Sequence, residues 1–131
     1  MLQNSRAFSS FSVNNLTKAK EFYAGTLALP IREIKEGLEI LLPGGGKVFV
    51  YEKQDHSPAT YTVLNFEVVD INHVVDELMQ MGVKFEKYEG DMHTDEKGIA
   101  HGALIGAGPD IAWFKDPAGN FLAIMEQIKS E

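Results

Sequence analysis

One plan is written twice along this chain, and that repeat limits its fold more than any other feature. In "SVNNLTKAKEFY", residues 12–23, a strand from Phe8 to Val13 runs into Asn15, and Leu16, Ala19, Phe22 and Tyr23 then recur at helical spacing. In "EVVDINHVVDELMQMG", residues 67–82, a strand runs into Asp70. Ile71, Val74, Val75, Leu78 and Met79 then share one helix face, and Gly82 stops the helix. Val13 and Val68 are 55 residues apart (68 − 13), as are Asn15 and Asp70 (70 − 15). Asn and Asp are good N-caps because their side chains accept from the unpaired amides of a first turn. A repeated order of strand, cap and helix predicts two copies of one supersecondary unit.

The segments between complete the units. "IREIKE" and "LEILLP" read as strands parted by Gly37, and "GGG" at 44–46 turns the chain into "KVFVYEK". The spacing predicts a first module over about 5–52, a linker over 53–60 and a second module over about 61–127, within one domain spanning 1–131. In the second module "VKFEKYE" is expected to be a strand, and "FKDPAGNFLAIMEQ" a hairpin whose turn is built by Asp116, Pro117, Gly119 and Asn120. Between them lies "GDMHTDEKGIAHGALIGAGPD", long for a connection in a compact domain, and such loops are often lids or binding loops. Its "GALIG" part is a further strand candidate.

Composition narrows the chemistry. With no cysteine there is no disulfide, thiolate nucleophile or zinc-thiolate site, which fits a reducing compartment. A net charge of −7 without a Lys/Arg cluster argues against nucleic acid. It favours a cationic small molecule, although it also keeps a small protein soluble. No apolar run approaches the roughly 20 residues a membrane span requires, and "MLQNSRAFSS" has no signal-peptide pattern. A cytoplasmic location is expected.

"VNNLTKAKEFY" and "FKDPAGNFLAI" resemble the helix entry and the closing hairpin of the vicinal oxygen chelate superfamily, the glyoxalase, bleomycin resistance protein and dioxygenase family. The resemblance implies an α+β fold of two βαβββ modules curled around a cleft, and commonly a homodimer. In metal-using members, His, Gln or Glu ligands come from the first and last strands of the modules. Counting from the motifs puts Phe8, Val50, Val63 and Ala123 at those places, and a slip of one residue supplies no His or carboxylate. No metal and no cofactor is therefore expected.

The same count implies an apolar ligand pocket. Strand alternation adds Ser10, Glu52, Asn65, Phe121 and Met125 to these positions, and Trp113 offers a flat face for a planar ligand. The expected function is binding of a small, partly apolar or aromatic molecule, in the manner of bleomycin resistance proteins. The alternatives are a lyase, isomerase or dioxygenase with an unusual site in the 91–110 loop, whose catalytic candidates are His93, Asp95, Glu96 and His101, or an interaction module with a filled cleft. His56 and His73 are expected to face water.

Overall fold

The computed structural model describes residues 1–127; positions 128–131 of the expected domain lie outside them. The chain forms two compact units, Met1–Pro58 and a second from Ala59 onward.

In the first unit β1 (Ser9–Val13) leads into α1 (Leu16–Lys20), followed by β2 (Ile31–Ile34), β3 (Gly37–Leu41) and β4 (Lys47–Glu52). The sheet order is β1-β4-β3-β2, with β1 parallel to β4 and the other pairs antiparallel. Asn15 caps α1 as expected, its side chain accepting from the amide of Lys18 at 3.0 Å. The helix does not remain α-helical to its end. From Glu21 to Thr26 it widens into a π-helix, and Tyr23 within this stretch is fully buried with its ring 5.9 Å from that of Phe11.

That ring contact identifies the sheet face under the helix. Phe11 lies in register with Val50, and Val50 with Leu38, so these three share the helix-side face. Glu33, next in that row, bonds Lys20 of α1 at 2.7 Å from the same side.

The second unit repeats the scheme with β5 (Thr62–Val68), α2 (Ile71–Gln80), β6 (Ile99–Ala100), β7 (Ile111–Lys115) and β8 (Phe121–Glu126), in the order β5-β8-β7-β6. Asp70 caps α2 by accepting from the amide of His73 at 3.2 Å. Ile71 and Val75 are fully buried, whereas Met79, expected on the same stripe, is 46% exposed.

Two expectations fail in this unit. "VKFEKYE" forms no continuous strand: Phe85 makes an isolated bridge to Phe114, and Glu86 donates its amide to the carbonyl of Trp113. Farther along β7 the edge place is taken by Ile99 and Ala100 from within the long loop, so the sheet edge is shared by two separate segments. "GALIG" is also no strand, because Gly102–Ile105 forms a 3-10 turn closed by left-handed Gly106. Period-two alternation predicts extended backbone, but only a neighbouring strand with free ladder groups turns it into sheet.

Candidate functional site

Each sheet has one face under its helix and one face without a helix. In the first unit three rows cross the helix-free face. The middle one reads Ser10, Phe49, Glu39, Arg32, each in register with the next. On one side of it lies Lys47, whose ammonium sits 4.9 Å from the centre of the Phe8 ring. On the other lie Ser12, Tyr51 and Gly37, with the Phe49 and Tyr51 rings stacked 5.6 Å apart. Ser12 Oγ and His56 Nδ1 share a hydrogen bond of 2.7 Å, so His56 is half-buried on unit 1 rather than projecting freely into water. His73 is exposed as expected and pairs with Glu77 one helical turn on.

Glu39 is the charged centre of this face. Only 5% of it is exposed, with Arg32 bonding one carboxylate oxygen and Lys47 the other, the latter at 3.0 Å. The hydrogen bonds from Lys47 and Arg32 hold its carboxyl below the usual glutamate range, against the opposing effect of burial.

In the second unit the matching row reads Asn65, Ala123, Trp113. Phe121 and Met125 flank Ala123 on the same face, and Lys115 lies 5.1 Å from the centre of the Phe121 ring. The Tyr88 and Trp113 rings meet nearly perpendicular, their centres 5.6 Å apart at 82°. Val63 stands where the β5–β8 register shifts between Thr62 and Leu64.

Two expected site residues belong elsewhere. Val50 is fully buried beneath α1 in the row of Phe11 and Leu38, so it lines no helix-free surface. Glu52 shares its strand parity and reaches the helix start, where its Oε1 accepts from the amide of Leu16 at 2.9 Å. Counting from Gly46 placed the ladder one residue out of phase, and such a slip moves a whole strand to the opposite face. Phe49 and Tyr51 occupy the face assigned to Val50 and Glu52. Phe8, Ser10, Asn65, Trp113, Phe121, Ala123 and Met125 lie on the helix-free faces of their own units.

The loop candidates come together only in part. His101 Nε2 lies 2.7 Å from Asp95 Oδ2, and its Nδ1 lies 3.3 Å from Asp110 Oδ2, a partner the sequence reading missed. An imidazole facing acceptors on both sides satisfies both only when both nitrogens carry protons. The bond to Asp95 is the main cause of the raised His101 pKa, with Asp110 reinforcing it against burial. Burial alone would raise the Asp95 pKa, but the bonds from His101 and the amides of Ile99 and Lys97 outweigh it and lower the value. In that doubly protonated form His101 has no lone pair to offer a metal or a substrate proton. His93 is exposed, with Nδ1 3.2 Å from the carbonyl of Gly90. It shares with His101 the lining of a cavity of about 120 Å³. Exposed Glu96 lies instead beside a groove of about 480 Å³ at the end of α2, bordered by Met79, Phe85 and Lys84.

Residues 8–124 match the model of the Glyoxalase/Bleomycin resistance protein/Dioxygenase superfamily. The chain belongs to this superfamily. Its fold is shared by a glyoxalase family protein from Enterococcus faecalis, with a TM-score of 0.67, 18% identity, and coverage of 96% of this chain and 100% of the other. TnmS3, an antibiotic binding protein from Streptomyces sp. CB03234, matches with a TM-score of 0.65, 18% identity and coverage of 95% and 98%. FosX, a fosfomycin resistance protein from Listeria monocytogenes, matches with a TM-score of 0.66, 12% identity and coverage of 95% and 94%. None of the curated proteins compared matches this sequence.

Membership of the superfamily raises the question of its metal. With the register corrected, the strand positions in question are held by Phe8, Phe49, Val63 and Ala123, whose side chains carry no metal donor. Among the described residues no three His, Cys, Asp or Glu side chains converge on a point that could hold a metal, and no buried side-chain polar atom lacks a partner. The residues present do not fit the superfamily metal. Nor, among the described residues, is any helix long and apolar enough to cross a membrane.

Proposed function

We propose that this protein binds a small, partly apolar or aromatic molecule on the helix-free faces of its sheets, as a metal-free binding or sequestering member of the superfamily. The observation that carries this reading is that Phe49 and Ala123, which carry no metal donor, stand at the centres of the two middle rows, beside the exposed or half-exposed rings of Phe8, Tyr51, Trp113 and Phe121. Aromatic surface with a few fixed polar groups is the usual composition of a small-molecule site. The antibiotic-binding and fosfomycin-resistance proteins that share the fold support the same reading. The two modules are proposed as halves of one domain, and the protein as a cytoplasmic homodimer.

The test combines elemental analysis of untagged protein with thermal stabilisation by a panel of small aromatic molecules. The expected result is no stoichiometric transition metal and saturable stabilisation that Trp113→Ala or Phe49→Ala weakens. One bound transition metal per chain, removable by a chelator with loss of ligand binding, overturns the reading.

A further inference from the structure

The first unit's helix-free face suggests which aromatic molecules fit. Net charge alone points to a cation, since the chain carries −7. The local arrangement points the other way. Arg32 and Lys47 meet a single carboxylate, Glu39, which leaves one positive charge in excess within the cluster. Charges elsewhere on the surface are screened over a Debye length of about 8 Å at physiological salt, so this excess dominates at contact.

The geometry of Arg32 adds direction. Its Nε and Nη2 bond the same Glu39 oxygen, so one edge of the guanidinium is used and its Nη1 and the second Nη2 hydrogen remain for another acceptor. The Arg32 side chain is 61% exposed. Two parallel N–H groups on such an edge match a carboxylate or a similar oxyanion. One step along the same row from Glu39 stands Phe49, stacked on Tyr51. Gly37, packed so closely that a Cβ there would lie 3.2 Å from Phe49 Cε1, places no side chain of its own over that ring. An acid group on Arg32 and an attached ring on the Phe49 and Tyr51 pair would lie along this one row of the sheet.

We propose that this face recognises a planar aromatic acid, its carboxylate on the free edge of Arg32 and its ring against Phe49 and Tyr51. This inference rests on the small-molecule reading above and specifies the ligand class.

Isothermal titration with three probes of one shape tests it: 2-naphthoate, the neutral 2-naphthalenemethanol and the cationic 2-naphthylmethylamine. The naphthoate is expected to bind most tightly and to weaken as salt rises. Arg32→Gln should cost it roughly tenfold or more, the usual effect of losing a charge-assisted bond, and should change the neutral probe less than twofold. Arg32→Lys, which keeps the charge without the paired N–H edge, should fall between. Phe49→Leu should weaken all three probes alike. Melting temperatures of the variants separate lost binding from lost folding. Tighter binding of the amine, or equal binding of acid and alcohol, overturns the acid assignment while leaving the small-molecule reading intact. Absence of saturable binding for all three probes overturns this assignment, and the small-molecule reading falls with it only if the wider aromatic panel also gives no stabilisation.

Discussion

The middle rows of the two helix-free faces occupy the same places and hold opposite contents. Phe49 and Ala123 are 74 residues apart (123 − 49), as are Glu39 and Trp113 (113 − 39), and each pair is joined by the same cross-strand register. Unit 1 has a large ring at the centre and a paired charge beside it. Unit 2 has a methyl group at the centre and an indole beside it. The helix caps and strand ends show no such divergence. Asn15 and Asp70 cap the two helices. Glu52 and Glu126 reach from the last strands to the amides of Leu16 and Ile71. Lys53 and Gln127 donate their amides to the carbonyls of Val13 and Val68. Duplicated framework with diverged faces is the pattern expected where the fold is held constant and the bound molecule is not.

The sharpest break in the comparison lies at Gly37, whose counterpart is Ile111 (111 − 37 = 74). A Cβ on Gly37 would stand 2.3 Å from the carbonyl oxygen of Val50, so β3 and β4 could not keep their separation. Gly37→Ala should destabilise the protein by about 3 kcal/mol, the upper part of the range for overpacking, measured by urea unfolding. A loss under about 1 kcal/mol would mean that the hairpin yields readily and that the glycine is not required.

The next test makes unit 2 resemble unit 1. Ala123 is fully buried, so Ala123→Phe should cost about 1–3 kcal/mol through forced repacking. It should also cover the indole face of Trp113, its cross-strand neighbour, and remove the fluorescence response of Trp113 to aromatic ligands. An unchanged response would show that Trp113 is not part of the binding face.

The two caps offer a smaller and cleaner comparison. Asn15→Ala and Asp70→Ala should each cost about 1 kcal/mol in denaturant unfolding, because each side chain accepts one first-turn amide, Lys18 at 3.0 Å and His73 at 3.2 Å. A large difference between them would show that the repeat is geometric but not energetic.

The caps also mark where sequence reasoning succeeds. Asn15, Asp70 and the Asp116 turn were legible because their chemistry is local: Asp116 Oδ1 accepts from the amides of Ala118 and Asn120 a few residues away. In unit 2 the counted Ala123 and, from strand alternation, Asn65 share one row, which Trp113 joins. The sheet faces were misread by one residue at Val50 and Glu52, because register is set by the partner strand and not by distance from a turn. Arg32, Glu39, Phe49 and Asp110 were missed for the same reason. Each acquires its role from a neighbour across a strand or loop that the linear sequence does not display.

Glu39 in one unit and His101 in the other carry pH dependences of opposite sign. The folded pKa of Glu39 is lowered, so its stabilisation is present above the ordinary glutamate value and lost as pH falls through the depressed one. The folded pKa of His101 is raised, so its contribution is full below the unfolded histidine value and lost as pH rises through the folded one. Glu39→Gln should therefore flatten the acid limb of the stability curve, and His101→Gln the limb that rises from the ordinary histidine value. The second effect should be the smaller, since the His101 side chain is 36% exposed and solvent screens its pairs. Histidine NMR provides the direct check. His101 should remain doubly protonated above the ordinary histidine value, and Asp110→Asn should lower its midpoint, because Asp110 faces Nδ1 and also holds the amide of Ala103 at 3.1 Å. A His101 midpoint at the ordinary histidine value would show that the two carboxylates do not grip the ring, and would remove the loop's ionic closure from the contrast between the units.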